Sequence, residues 1–185
     1  MILNMNSIIK TERLLIRELN LNDIDILLEF YRKKDNLQYI PNSNFEWTKD
    51  KLEKKYCEAN INYDKGYGIY VVEKKEDNSI IGEAGLFNSF GDLKHLELGY
   101  ILDIAFWKKG YGFEICSSLI AYGFNVLKLE NITSRMMTEN IASIKLSEKC
   151  GMKLTEVGRS ANGYNFCRYE INNDELKGKT PYNSA

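Results

Sequence analysis

Trp107-Lys108-Lys109-Gly110-Tyr111-Gly112-Phe113 lies between two apolar patterns of different period, and its reading decides the fold. Upstream, residues 95–102 alternate: Leu96, Leu98, Tyr100 and Leu102 share one face, and Glu97, Gly99 and Ile101 the other. That is the period of a strand. Downstream, Ile115, Leu119, Tyr122 and Val126 recur at spacings of 4, 3 and 4, the period of a helix packed on one side. A helix start leaves its first N–H groups unpaired at the positive end of the macrodipole. Glycines let a backbone approach a phosphate closely, and Lys108 and Lys109 add charge beside it. Taken alone, Gly-x-Gly also suits a plain strand-to-helix turn. The stretch is not a Walker A loop, which ends in Gly-Lys-Ser/Thr. It also lacks the third glycine and the βαβ surroundings of a dinucleotide fingerprint.

The rest of the chain extends this pattern both ways. Residues 13–17 predict a first strand, and Asn22 and Asp23 the cap of a helix carrying Ile24, Leu27, Leu28 and Tyr31. Thr48 opens a second, charged helix to about residue 62, and 67–74 and 79–88 are two strands joined at Glu76-Asp77-Asn78. Further on come a strand at 131–137, a helix at 140–150 ended by Gly151, and strands at 153–157 and 164–171. The last two are expected to meet across Asn162-Gly163 as a two-residue hairpin. The order predicts an α/β domain around one sheet.

With 185 residues the expectation is one domain, placed at 1–176, with 177–185 as a polar, flexible tail. Lys and Arg number 25 against 26 Asp and Glu, so there is no basic excess of the kind nucleic-acid binders carry. A hydrophobic share of 44% with 28% charged residues suits a packed core rather than disorder. No run approaches the roughly 18 apolar residues of a membrane span, and residues 1–10 hold no long leader-like apolar stretch. A soluble, cytoplasmic protein that engages neither membrane nor nucleic acid is expected. Cys57, Cys116, Cys150 and Cys167 form no C-x-x-C pair, and His95 stands alone. Reduced, buried thiols and no metal site follow.

At this point the residues resemble a family. Glu97-Leu98-Gly99-Tyr100-Ile101-Leu102, the Trp107–Gly112 loop, Glu139-Asn140-Ile141-Ala142-Ser143 and Glu148-Lys149-Cys150-Gly151-Met152 look like successive motifs of the GNAT N-acetyltransferases. Thr11-Glu12-Arg13-Leu14-Leu15-Ile16-Arg17 is similar to the opening strand of the branch containing the ribosomal-protein-alanine N-acetyltransferases. The likeness covers roughly residues 11–170. It implies a mixed, mostly antiparallel central sheet flanked by about four helices, and acetyl transfer from acetyl-CoA, as co-substrate, to a primary amine in a ternary complex.

By that resemblance acetyl-CoA lies where the fourth and fifth of the strands named above splay apart. Backbone groups of Tyr100, Ile101 and Leu102 would pair with the pantetheine arm. Those of Lys108, Lys109, Gly110, Tyr111, Gly112 and Phe113 would surround the pyrophosphate. Trp107 stands where the family's loop usually begins with Gln or Arg. Asn140 matches a cofactor-contacting asparagine, and it is equally a helix N-cap. Glu97 matches the position of the base that takes the proton from the acceptor ammonium; otherwise it is a solvent-facing strand carboxylate.

Many family members place a tyrosine in the last helix to meet the departing thiolate; Ser147 stands there instead. Ser143, of the Asn-x-x-Ser motif, is the second candidate, and both serines also suit packing or capping. Asn140, Ser143 and Ser147 share one helix face. The acceptor site is expected from residues 35–47, with Tyr39, Phe45 and Trp47, the second helix and the final hairpin. Two acceptors stay open, a protein N-terminus and a small amine, and a homodimer is compatible with either. The alternative is an acyl-CoA-binding sensor without catalysis.

Overall fold

The computed structural model describes residues 7–41, 46–89 and 95–174. In chain order its elements are β1 (Ser7–Lys10), β2 (Leu14–Arg17), α1 (Asp23–Arg32), α2 (Lys49–Ala59), β3 (Gly68–Lys74), β4 (Ile80–Phe87) and β5 (His95–Leu102). After these come α3 (Tyr111–Asn125), β6 (Asn131–Met137), α4 (Ile141–Lys149), β7 (Lys153–Arg159) and β8 (Asn165–Asn172). Among the described residues the strands form one sheet in the order β1-β2-β3-β4-β5-β6-β8-β7. Every neighbouring pair is antiparallel except β5 with β6. The expected mixed α/β architecture is therefore present. No described helix is long and apolar enough to cross a membrane.

The alternation of β5 sorts its side chains between two layers. Leu96, Leu98 and Leu102 join the larger core with Ile115, Leu119 and Ile120 of α3. Each such side chain, fully buried, contributes about 1.5–3 kcal/mol. Ile101, on the opposite face, packs with Ile69 and Val71 against Ile24, Leu27 and Tyr31 of α1 and Leu52 and Tyr56 of α2. Val126, the last member of the helical series, is 60% exposed and caps α3 from outside. Arg17 is buried and bonded to Asp23 of α1 and Glu73 of β3, each at 2.7 Å, so the sheet fixes where α1 begins.

Local details depart from the sequence reading in three places. An additional edge strand, β1, pairs with β2; its Ser-Ile-Ile-Lys run is too short and too evenly half-buried to show a period. Helix α2 ends at Ala59, and Asn60 instead uses its side-chain oxygen to accept from the Ile69 N–H at 2.8 Å.

The final hairpin turns through Ala161, Asn162 and Gly163 rather than through two residues. Gly163 N–H donates to Ser160 and Ser160 N–H to Tyr164. A two-residue turn on Asn-Gly needs positive φ at both residues, and here only Gly163 has it, at 85°. Helix α4 ends as expected. Gly151, at φ 87°, donates to Glu148 while Met152 donates to Ser147, which closes the last orphan carbonyls. The proposed tail, residues 177–185, lies outside the described residues, as does Phe45.

Candidate active site

Pairing between β5 and β6 covers three rungs, His95 with Asn131, Leu96 with Ile132 and Glu97 with Thr133. Beyond Glu97, β5 keeps β4 on one side up to the Gly82–Leu102 pair, but no longer pairs with β6 on the other. A cavity of about 310 Å³ opens there, lined by Leu98, Gly99, Tyr100 and Ile101 from β5 and by Ser134, Arg135, Met136 and Met137 from β6. The rungs of an antiparallel ladder alternate, and Asp103 N–H donates to the Ile81 carbonyl of β4. By that alternation Ile101 also turns its N–H and C=O to β4, while Tyr100 and Leu102 turn theirs to the cleft. The Leu102 carbonyl is already occupied, accepting from the Trp107 indole N–H at 2.8 Å. Trp107 thus pins the strand end, which accounts for an aromatic at the head of the loop.

After Trp107 the loop winds through two left-handed residues, Lys108 at φ 59° and Gly110 at φ 84°. Gly110 is the N-cap of α3 and leaves the first turn's N–H groups, within residues 108–113, directed outward. Alternating backbone of this kind makes a concavity of amides that suits an anion. Gly112 has a packing role beside the expected one of sparing room for phosphate. A Cβ there would lie 3.1 Å from Leu146 of α4, so its missing side chain sets the α3–α4 approach. Lys149 of α4 places its ammonium 4.4 Å over the Phe113 ring and adds a cation to this end of the cleft.

Glu97 is 6% exposed, and its Oε2 accepts no hydrogen bond. Arg135 Nη2 lies 3.8 Å from that oxygen, near enough for attraction and too far for a hydrogen bond. Ser143 also borders the cavity, and its Oγ lies 2.9 Å from the Tyr100 hydroxyl, where either can donate. Burial pushes the Tyr100 phenol above its ordinary pKa, so it keeps its proton at neutral pH. Asn140 caps α4, its side-chain oxygen accepting from Ser143 N–H at 3.1 Å, and it lines the same cavity. Ser147 does not. It is 7% exposed, with Oγ 3.9 Å from Met136 Sδ, in the packing between α4 and β6. His95 is not among the lining residues.

Tyr39 and Trp47 line the cavity, together with Lys55 of α2 and Tyr164 of the hairpin. The sequence reading missed Glu83, a buried carboxylate of β4 on the same wall. It accepts from Tyr31 at 2.6 Å, from Lys55 at 2.7 Å and from the Tyr56 hydroxyl. Burial first, and then the charge of Glu83, push both phenols up, so they remain donors. One acidic residue within the apolar run Ile-Ile-Gly-Glu-Ala-Gly-Leu-Phe was the available signal. Among the described residues no cluster of His, Cys, Asp and Glu could hold a metal ion.

A family model described as the acetyltransferase (GNAT) domain matches residues 13–153. The uncharacterized N-acetyltransferase YnaD of Bacillus subtilis (strain 168) is 28% identical over 147 residues, 78% of this chain and 82% of that protein. RimL, a ribosomal L7/L12 alpha-N-protein acetyltransferase solved with coenzyme A, superposes with a TM-score of 0.78 at 16% identity, over 90% of this chain and 98% of its own. Spermidine N-acetyltransferase from Vibrio cholerae, solved with CoA and spermine, gives a TM-score of 0.77 at 20% identity, over 90% and 99%. At these identities the two solved structures share the fold, and the acceptors they name are their own.

Proposed function

The chain belongs to the GNAT acetyltransferase family, and from that premise we propose that Glu97 is the base of an amine acetylation carried out at the inner end of the β5–β6 cleft. Acetyl-CoA supplies the acetyl group as an activated thioester. The cleft suits its arm, since Tyr100 turns its N–H and C=O, and Leu102 its N–H, toward the gap where β5 and β6 no longer pair. The amides of residues 108–113 suit its pyrophosphate.

The observation that carries the reading is the open Oε2 of Glu97, buried in the cavity wall and accepting no hydrogen bond. Glu83, the other carboxylate in the described lining, has both oxygens engaged by three donors. Glu97 takes a proton from the acceptor ammonium, directly or through a water, and the neutral nitrogen attacks the thioester carbonyl. Cleft-facing N–H groups of β5 meet the negative charge on the carbonyl oxygen. Collapse of the tetrahedral carbon then breaks the C–S bond, and the proton still carried by the nitrogen leaves with the sulfur. Ser143 donates a hydrogen bond to that sulfur while Tyr100 donates to Ser143 Oγ, and the start of α4 adds its positive dipole end. Asn140 holds that turn in place. Ser147 supports the α4–β6 packing.

Glu97→Gln keeps the shape and removes the proton acceptor. The rate with acetyl-CoA and a primary amine is expected to fall on the order of 100- to 10,000-fold at neutral pH. It should then climb with pH as more of the amine arrives deprotonated. A near-wild-type rate at neutral pH removes Glu97 from the role. Acetyl-CoA binding without thiol release in the unmodified protein would favour the sensor instead.

A further inference from the structure

The charges around the cavity are arranged so as to choose among amines, a deduction that rests on the acetylation reading above. Among the described residues the lining holds two carboxylates, Glu83 and Glu97, and two cations, Lys55 and Arg135. Glu83 is already held by three donors, two at Oε1 and one at Oε2, and its charge is paired with Lys55. Lys55 donates to it, and the same ammonium lies 4.6 Å from the ring centroids of both Tyr31 and Tyr56. Carboxylate and aromatic faces together are what would hold a second positive group of an acceptor, and the chain's own lysine already occupies them. Glu97 alone offers a buried oxygen that accepts no hydrogen bond, with Arg135 at 3.8 Å.

Next to Glu97 the wall is aromatic. Phe87 stands opposite it in the β4–β5 ladder. The Phe87 ring lies over Gly99, where a Cβ would fall 2.8 Å from the ring's Cζ, so the bare backbone of β5 is what gives the ring its place. Trp47 packs edge-on against Tyr31 at 4.7 Å, extending the aromatic surface.

We infer that the acceptor is a primary amine on an apolar or aromatic body and carries no second positive charge. One ammonium finds Glu97. A second would leave water to face Lys55 or Arg135, and among the described lining residues the one remaining carboxylate, Glu83, is already paired with Lys55. Sugar hydroxyls placed beside Glu97 would lose their water against the Phe87 ring, which returns no hydrogen bond.

The test measures thiol release by the full chain from acetyl-CoA with 2-phenylethylamine, spermidine and glucosamine at one pH. kcat/KM for 2-phenylethylamine is expected to exceed the other two by about tenfold or more. Equal or better use of spermidine or glucosamine overturns the proposal. Lys55→Gln removes the positive charge held at Glu83 and is expected to raise the spermidine-to-phenylethylamine ratio about tenfold. An unchanged ratio overturns the role given to Lys55. A thermal shift with acetyl-CoA separates the two readings: no shift, or a shift with turnover of none of the three amines, counts against acetyl transfer itself, whereas a shift with turnover of spermidine or glucosamine but not of 2-phenylethylamine overturns the acceptor class alone.

Discussion

Arg13 holds Glu114 from both its side chain and its backbone. Its Nε and Nη2 lie 2.7 Å from Oε2, and its main-chain N–H donates to Oε1 at 2.9 Å. The same guanidinium donates to the Lys109 carbonyl at 3.0 Å and stacks over the Tyr111 ring at 4.3 Å. The turn leading into β2 is thereby tied to the amide loop that opens α3.

Burial alone would raise the Glu114 carboxyl, but hydrogen bonds from Thr11 and Arg13 hold it below its ordinary value of 4.5. A depressed carboxylate stabilises the fold above its unfolded pKa and loses that contribution as pH falls through the folded one. Arg13 is partly exposed, so Glu114→Gln is expected to cost only about 1 kcal/mol at neutral pH. The difference should shrink toward about pH 3. Urea denaturation of both proteins at the two pH values measures it, and a difference that does not narrow removes the ion pair from the explanation.

Gly112→Val is expected to damage the helix packing and the ligand site together. The added side chain meets Leu146, where even a Cβ stands at 3.1 Å. Overpacking of this kind costs about 1–3 kcal/mol, or roughly 2–4 °C in Tm per kcal/mol for a chain of this size. Acetyl-CoA at 100 times its Kd stabilises the parent by about 2.7 kcal/mol. Calorimetry with and without acetyl-CoA should show a lower Tm and a smaller ligand shift. A variant with the parent's Tm contradicts the packing role.

Tyr100→Phe should lower kcat about tenfold with little change in KM for acetyl-CoA, the effect of one lost hydrogen bond of ordinary strength. Ser143→Ala should cost at least as much. If Tyr100 works through Ser143, the double variant is no slower than Ser143→Ala alone. Steady-state kinetics on the three proteins decide it, and additive losses would mean that the two hydroxyls act separately.

Much of the fold could be read from periods. The 3.6-residue spacing of α3 and the alternation of β5 place both elements, and Gly151 ends α4 where the sequence suggests. What escaped depends on contacts far apart in the chain. Nothing in the run containing Thr11 and Arg13 says that they reach Glu114, 103 and 101 residues away. Glu83 is noticeable as an acidic residue in an apolar strand, but its partners come from α1 and α2. Of the residues singled out for chemistry, Glu97 and Ser143 line the cavity. Ser147 does not, because it lies one helical turn further on, where α4 already rests on Met136.

The three parallel rungs between β5 and β6 are the seam of this sheet. Before ligand arrives, the Tyr100 and Leu102 amides should exchange hydrogen for deuterium at edge-strand rates, while that of Ile101, bonded to β4, stays slow. A pantetheine arm laid along the cleft would serve as a borrowed strand, protecting the first two and leaving the third unchanged. Protection of those two amides, followed against acetyl-CoA concentration, would then trace the closing of the seam.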